Sequence, residues 1–457
     1  MRTIMVSNRG PLRREDGRWV RSSGGLVTAL DPILRERGGV WVSSDPSHGS
    51  EELGYSVSGI ELPRELSDRY YLDLSNAVLW PILHGFPATI RLGGAPWEAY
   101  VEVNERFAAR IEQEARGPDP QIWIHDYHLM LAPRLVRQRV PGARIGWFCH
   151  VPWPDDDHFR ILPWSRELLL GLLGADHVAF QIDRYAVNFM RCVQSRLGLT
   201  VDEASRTIEL DGHVCRVLVA PIGVPTRDLE EVAERPAVQD RARRLHERVR
   251  GRRIVLGVDR LDYTKGIPER LLAFDRLLRD DPSLRDDTVL VQIMVPSRTA
   301  VDAYADLKGE IDRLIGEIGG RHGRTGSAPV HYLYRSVDVE ELFAHYLAAD
   351  VALITPLRDG MNLVAQEYVL ARTDGALVLS ELAGVADHFE EALQVNPYDI
   401  AGTAETLRQA LAMPREERRR RMDAMRETVR RLDVSLWARH LLSDLEPPRS
   451  PVGLAHA

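Results

Sequence analysis

Val351-Ala-Leu-Ile-Thr-Pro-Leu-Arg-Asp-Gly-Met-Asn-Leu-Val-Ala-Gln-Glu-Tyr368 is the stretch around which this chain is organised. Its opening apolar run, Val351 to Ile354, predicts a buried strand. Pro356 and Gly360 then break the pattern, and Leu363, Val364, Tyr368 and Val369 resume it at helical spacing. A strand, a tight turn and a helix entered through Asp359-Gly-Met-Asn362 make an anion site. The first amides of a helix lack internal acceptors, and the positive end of its dipole faces the turn. Glu367 follows Asp359 by about two helical turns, so one carboxylate sits at the turn and another deeper on the helix. Sugar hydroxyls, a diphosphate and a ribose diol would fit that order. The plainer alternative is a strand–helix unit whose polar turn is merely solvated, and the glycine turns and cation pair described below weigh against it.

A chain of 457 residues exceeds one core and predicts two domains, with room for a third. A net charge of -8 argues against a general nucleic-acid binder while allowing a local basic pocket. Three widely spaced cysteines, Cys149, Cys192 and Cys215, give neither a disulfide framework nor a zinc signature and suit a reducing cytosol. Met1-Arg-Thr-Ile-Met-Val-Ser-Asn8 enters a strand directly, without the features of a signal peptide. No apolar run approaches the roughly 20 residues that span a bilayer. The expectation is a cytoplasmic enzyme, with no membrane and no nucleic acid among its partners. No apolar stripe stands out to fix an oligomeric state, so a homo-oligomer stays open.

In chain order, Thr3 to Val6 predicts a strand that ends in Ser7-Asn-Arg-Gly-Pro11, and Leu12 to Arg21 predicts a hairpin or loop. Ser22-Ser-Gly-Gly-Leu26 opens a helix through a second glycine-rich turn, with the cation Arg9 near it. Val40 to Val42 is a strand. Leu72 to Pro81 is helix-like and aromatic, with Tyr70, Tyr71 and Trp80, a density that suits core packing more readily than a ligand platform. Gln121 to Ile124 is a strand ending in His125-Asp-Tyr-His128. The two histidines invite a metal reading, but no third ligand follows at regular spacing, so a polar loop facing a cleft is the better expectation. Arg144 to Cys149 is the next strand, followed by His150-Val-Pro-Trp-Pro154. Alternating strands and helices predict a parallel sheet, whose ligands collect beyond the carboxyl ends of the strands. Val201 to Val219 alternates around Asp211-Gly212 as a β-ribbon.

The domain boundary is placed near residue 226, after Pro221-Ile-Gly-Val-Pro225. This gives domains over 1–225 and 226–435, and a terminal helix and tail over 436–457 that folds back on the first domain. A highly charged segment, Arg227 to Arg253, leads into the second half. Arg253 to Val258 is a strand followed by Asp259-Arg-Leu-Asp-Tyr-Thr-Lys-Gly266, and further strands are expected at Val289–Met294, Val330–Leu333, Val351–Ile354, Ala376–Leu379 and Gln394–Val395. Arg260 and Lys265 share one turn after a strand. Beside the amides of 359–364, two cations suit a departing nucleoside diphosphate, the Arg as a fork and the Lys as a compact charge. An ordinary surface pair is the alternative. Across from them, the first half offers Arg9, Asp126 and His150 at strand ends. A P-loop, a Gly-x-Ser-x-Gly elbow and a Gly-x-Gly-x-x-Gly turn after the first strand are all missing, which argues against ATPase, hydrolase and NAD-linked chemistry.

Seven stretches carry a resemblance to a known family: Ser22–Leu26, Ser75-Asn-Ala-Val-Leu-Trp-Pro81, Trp123-Ile-His-Asp-Tyr-His-Leu129, Phe148-Cys-His-Val-Pro-Trp-Pro154, Asp259–Gly266, Thr355–Tyr368 and Val395-Asn-Pro-Tyr-Asp399. The chain resembles the trehalose-6-phosphate synthases, retaining glycosyltransferases of family 20 with the GT-B fold, collinearly over nearly its whole length. The resemblance implies an α/β architecture of two Rossmann-like domains with parallel sheets facing across a cleft. It implies that Arg260 and Lys265 hold the donor diphosphate with the amides of Leu363 and Val364, and that Glu367 binds the ribose hydroxyls. Asp359 and the backbone of Gly360, Met361 and Asn362 would take the donor glucose, His150 would contact that sugar, and Gly25 would belong to the turn closing over the donor. Arg9, Tyr71, Trp80 and Arg298 match the acceptor phosphate site, and Asp126 the acidic residue that orients the acceptor near the reacting centre.

The implied reaction moves glucose from a nucleoside-diphosphate glucose to glucose 6-phosphate with retention, giving α,α-trehalose 6-phosphate. It uses no cofactor and no obligatory metal, and the leaving phosphate takes the acceptor proton. One departure stands out. The family pattern after the second strand is Gly-Trp-Ser-Gly, whereas here Gly39-Val-Trp-Val-Ser-Ser-Asp-Pro46 puts Ser44 where the tryptophan is expected. Another phosphorylated acceptor, as in glucosylglycerol-phosphate synthases, or carbasugar coupling is the alternative. A non-catalytic sugar-phosphate sensor fits less well, because Arg260, Lys265, Asp359 and Glu367 are all present. The nucleobase, whether of UDP-, GDP- or ADP-glucose, is left open.

Overall fold

The structure is a computed structural model, and it describes residues 3–15, 18–21, 25–44, 53–117, 119–297 and 302–445. The chain divides into two compact units. The first is Met1–Pro221 with Ser435–Ala457, and the second is Ile222–Val434.

The first unit is built on strands β1 (Thr3–Val6), β4 (Val40–Ser43), β5 (Ser56–Gly59), β6 (Gln121–His125), β7 (Arg144–Phe148), β8 (His177–Phe180), β9 (Val201–Asp202), β10 (Thr207–Leu210) and β11 (His213–Val219). Strands β2 (Leu12–Glu15) and β3 (Arg18–Arg21) form a separate antiparallel hairpin. The sheet order is β5-β4-β1-β6-β7-β8-β11-β10-β9. From β5 to β11 all neighbours are parallel, and only β10 pairs antiparallel with β11 and β9. The parallel strands are apolar on both faces, as helix-covered strands must be: Ile4, Met5, Val6, Ile122, Trp123, Ile124, Trp147 and Phe148 are fully buried. Helix Val434–Ser443 lays Trp437 against Trp123 and Phe148, at 4.9 Å between ring centroids in each case.

The second unit holds β12 (Arg253–Arg260), β13 (Thr288–Val295), β14 (Val330–Tyr334), β15 (Val351–Ile354), β16 (Ala376–Ser380) and β17 (Leu393–Val395), ordered β14-β13-β12-β15-β16-β17 and parallel throughout. Its core gathers Val255, Leu271, Phe274, Leu290, Ile311, Val351, Val378 and Leu407 from strands and covering helices. The charged segment after residue 226 folds as two amphipathic helices, Thr226–Glu234 and Pro236–Arg248, whose Leu229, Val232, Val238 and Ala242 are buried. Its many arginines occupy the outer face, which is why the apolar positions are sparse in sequence.

The aromatic stretch before Pro81 departs from an α-helix. Arg69–Leu79 is a π-helix, and the Trp80 amide continues its ladder by donating to Ser75 O, five residues back.

Candidate active site

In the second unit the site residues follow the carboxyl ends of β12 and β15, which are neighbours in the sheet. Arg260 ends β12, with its guanidinium 3.9 Å from the buried Asp262 carboxylate. Asp262 Oδ1 accepts hydrogen bonds from the Thr264 amide (3.1 Å) and hydroxyl (2.9 Å), capping the short turn Tyr263–Lys265. Gly266 leaves that turn at φ 61°, and a Cβ there would stand 2.3 Å from Thr355 O, so only glycine lets the two loops touch. Two amides complete the junction: Leu357 and Arg358 donate to Thr264 O at 2.7 and 3.2 Å.

Across this junction Lys265 Nζ donates to Asp359 Oδ2 at 2.6 Å, and both side chains are largely buried. Asn362 donates to the same oxygen at 3.0 Å, while its own carbonyl oxygen caps helix Leu363–Ala371 by accepting from the Ala365 amide at 3.0 Å. Asn362 does this from a left-handed backbone, φ 79°, a conformation that asparagine tolerates better than most residues. The Leu363 and Val364 amides open the helix without intrahelical acceptors. Further along the same helix, Glu367 accepts from the Tyr346 hydroxyl at 2.8 Å, and burial pushes its carboxyl up to about 7. Gly360 and the buried Met361 complete the turn.

Beneath both loops lies a residue the sequence reading missed. Arg270, 1% exposed, donates to Asp259 at the end of β12, to Gln292 on β13 (3.2 Å), to Thr355 after β15 (3.2 Å) and to Lys265 O (3.4 Å). Gly257 makes room for it, since a Cβ there would lie 2.8 Å from Arg270 Nη1. The available signal was helical spacing: Arg270 shares the inward face of Ile267–Asp280 with Ile267, Leu271, Phe274 and Leu278, where a cation needs buried partners.

In the first unit Arg9, Ser44, Asp126 and His150 all follow carboxyl ends of the adjacent strands β1, β4, β6 and β7. Arg9 donates to the Tyr71 hydroxyl at 2.6 Å, with its guanidinium 5.4 Å from the ring centroid. Tyr71 stacks on His128 (5.6 Å, 11°), and the buried Trp80 packs on His84 (4.0 Å) and Tyr127 (5.8 Å). Ser44 donates its hydroxyl and its amide to Asn8 O.

Asp126 has φ 75° and ψ 169°, a region that is essentially glycine's. Its amide donates to Phe148 O (2.8 Å), its carbonyl accepts from Trp147 Nε1 (3.2 Å), and its carboxylate accepts from the His150 amide (3.3 Å). A non-glycine residue over-determined in this way is a mark of a working site.

The expectation that His125 to His128 is a polar loop facing a cleft is corrected for His125, which ends β6, and for Tyr127, which is buried. His125 is fully buried, with Nε2 3.1 Å from the Met5 sulfur and Nδ1 3.1 Å from His150 Nε2. Both of its nitrogens are engaged by these neighbours. Among the described residues no group of three or more His, Cys, Asp or Glu is placed to hold a metal ion. Burial drives the His125 pKa well down, with the adjacent His150 adding to it, and burial holds His150 down to about 3, so both rings are neutral. A thioether sulfur only accepts, which puts the His125 proton on Nε2. Nδ1 of His125 then accepts from His150 Nε2–H, and His150 is left with Nδ1 as a hydrogen-bond acceptor.

Gly25 is the first residue of helix Gly25–Arg37, while Ser22 to Gly24 and Arg298 lie outside the described residues.

The two units are parallel-sheet α/β folds, each with charged and aromatic side chains at the carboxyl edge of its sheet, the class of fold whose ligands collect at that edge. Comparison with known proteins narrows the class. The glycosyltransferase family 20 model matches residues 1–447. A trehalose-6-phosphate synthase from Mycobacterium avium is 42% identical over 467 aligned residues, covering 97% of this chain and 94% of the relative. An α,α-trehalose-phosphate synthase (UDP-forming) from Burkholderia xenovorans, solved in complex with glucose-6-phosphate, superposes with a TM-score of 0.92 at 34% identity, covering 98% of this chain and 100% of that one. A chain from E. coli bound with UDP-2-fluoro glucose gives 0.89 at 33% identity, covering 97% and 99%. The protein is a glycosyltransferase. It belongs to glycosyltransferase family 20, and its fold is that of the GT-B enzymes it superposes on.

Proposed function

We propose that the protein transfers glucose, with retention, from a nucleoside-diphosphate glucose to glucose 6-phosphate, forming α,α-trehalose 6-phosphate and releasing the nucleoside diphosphate. The observation that carries this reading is the Lys265–Asp359–Asn362 cluster at the start of helix Leu363–Ala371. It offers an ammonium and helix amides to a leaving diphosphate, and a carboxylate to sugar hydroxyls, at the junction of two turns. Arg260 adds the fork for the phosphate oxygens, the Gly360–Asn362 backbone lies along the glucose, and Glu367 accepts the ribose diol. Gly25 belongs to the turn over the donor. On the acceptor side Arg9, Tyr71, Trp80 and Arg298 take the phosphorylated sugar, and Asp126 orients the attacking hydroxyl.

His150, neutral and presenting Nδ1 as an acceptor, suits a donor-sugar hydroxyl better than an anion. No side chain need act as base if the departing phosphate takes the proton, so positioning and charge stabilisation supply the acceleration, and no metal is required. The glucose-6-phosphate complex of the B. xenovorans relative and the UDP-2-fluoro glucose complex of the E. coli relative support this choice of acceptor and of a UDP-sugar donor. A cytoplasmic setting accords with the three buried, unpaired cysteines, and no helix among the described residues is long and apolar enough to cross a membrane.

One observation favours a second reading. Ser44 turns its hydroxyl onto Asn8 O at the position where the family pattern has a tryptophan, and an acceptor wall remade in this way suits another phosphorylated acceptor such as glycerol 3-phosphate. The test is product formation from each acceptor with UDP-, GDP- and ADP-glucose in turn, in the presence and absence of a chelator. Trehalose 6-phosphate as the main product supports the first reading. Turnover with glycerol 3-phosphate alone replaces it with the second.

A further inference from the structure

The π-helix Arg69–Leu79 has a geometric consequence for the two aromatic side chains assigned above to the acceptor. Tyr71 and Trp80 are nine positions apart. At the α-helical ~100° per residue, nine steps end about half a turn away, so the two rings would stand on opposite sides. An i→i+5 ladder winds at about 4.4 residues per turn, and nine steps then come to within ~20° of two full turns. Tyr71 and Trp80 therefore share a face.

The contacts bear this out. A continuous row of rings runs along that face, with Tyr71 on His128 (5.6 Å), His128 on Tyr127 (4.0 Å), Tyr127 on Trp80 (5.8 Å) and Trp80 on His84 (4.0 Å).

Asn76 lies between the two on the same face, about one π-turn after Tyr71. It is 2% exposed, donates Nδ2 to Tyr71 O at 2.6 Å and accepts from the Tyr127 hydroxyl at 3.1 Å. The first bond pins a carbonyl inside the π-helix. The second ties the helix to the turn 126–128, whose first residue is the strained Asp126. We propose that the π-helical register, held by Asn76 through Tyr71 O and the Tyr127 hydroxyl, is what places Tyr71 and Trp80 on one face to receive the phosphorylated acceptor. Asn76 is thus a positioning residue for acceptor binding. The inference rests on the acceptor assignment of Tyr71 and Trp80.

The test is calorimetric titration of the full-length protein with glucose 6-phosphate, and separately with UDP. Asn76→Leu keeps the volume but removes both bonds, and Tyr127→Phe removes one of them by deleting a single oxygen. The glucose 6-phosphate Kd should rise about tenfold in Asn76→Leu and about threefold in Tyr127→Phe, with the double variant no weaker than Asn76→Leu. The UDP Kd should stay unchanged in all three. Arg9→Gln and Tyr71→Phe serve as direct controls on the acceptor assignment. If the controls weaken glucose 6-phosphate binding while Asn76→Leu and Tyr127→Phe do not, the positioning role is wrong and the acceptor site stands. If the controls themselves leave binding unchanged, the acceptor assignment fails and takes this inference with it. A loss of UDP affinity equal to that for glucose 6-phosphate would mean general damage and would overturn the proposal. Should Asn76→Leu not fold, Tyr127→Phe alone decides.

Discussion

Replacing Glu367 with Gln should make the protein more stable and a poorer binder of its donor. Burial raises the Glu367 carboxyl from its ordinary 4.5 to about 7, with the Tyr346 hydroxyl offsetting part of the rise. The folded state thus binds this proton more tightly than the unfolded chain does. Below about pH 4.5 the group is protonated in both states and costs nothing. Between 4.5 and 7 the unfolded chain gives up the proton first and the folded state loses ground, and above 7 the full penalty applies. A shift of this size corresponds to about 3 kcal/mol, and solvent at this half-buried side chain trims it to about 1–3 kcal/mol. Gln keeps an oxygen for Tyr346 and carries no charge, so the variant escapes the penalty.

At about 2–4 °C per kcal/mol for a unit of this size, Tm should rise by roughly 2–12 °C at pH 8, and by about half as much at pH 5.5. Donor binding moves the other way. A carboxylate accepts two ribose hydroxyls better than an amide does, so donor KM in the parent protein should fall from pH 6 to pH 8, while in the variant it should be pH-independent and about tenfold higher. Differential scanning fluorimetry at the two pH values and initial rates across the range read both effects. A Tm that falls, or that rises equally at both pH values, would refute the raised carboxyl. A parent KM that is flat with pH would refute its contact with the donor.

Lys265→Ala should lower kcat by about 10²–10³ with a much smaller change in donor KM, because its charge counts most as the diphosphate leaves; intact turnover in steady-state rates would end that assignment. Arg270→Met leaves Asp259 buried without its main partner and should cost about 3–5 kcal/mol in urea unfolding, whereas a neutral result would mean the network is dispensable. Asp126→Gly and Asp126→Ala should both abolish transfer, but Gly relaxes the φ 75° backbone and should unfold about 1–2 kcal/mol later than Ala. Equal stabilities would show that the backbone there holds no strain.

How much of this was legible in the sequence depended on whether a signal was local. The second unit announced itself because parallel strands buried on both faces are written as short apolar runs, and because Pro356, Gly360 and Gly266 punctuate the turns that follow them. Arg260, Lys265 and Asp359 could be picked out together because each lies at or within a few residues of a strand end, and Glu367 because it follows Asp359 by about two helical turns. Ser56–Gly59 was not legible as a strand, having two serines and a glycine in four residues and depending on its pairing with β4 for its conformation. The charged run after residue 226 concealed two helices for a related reason, since a helix resting one narrow stripe on a unit spends few apolar residues on it.

What no local pattern supplied was coupling between segments. Met5 fixes the His125 proton, His125 fixes the acceptor face of His150, and the residues involved sit on β1, on β6 and just past the end of β7. Arg270 joins the ends of β12 and β15 to β13 from a helix none of them adjoins in sequence except β12. The π-helix is the sharpest case. Read at 3.6 residues per turn, Tyr71 and Trp80 diverge, and the aromatic density of that stretch reads as core; read with one more residue in each hydrogen-bonded turn, they converge. A helical wheel therefore carries an assumption about the ladder, and here that assumption decides whether the two side chains share a face. Composition could not correct it, because the register is held by Asn76 through a carbonyl five residues back and a hydroxyl on the turn that carries Asp126.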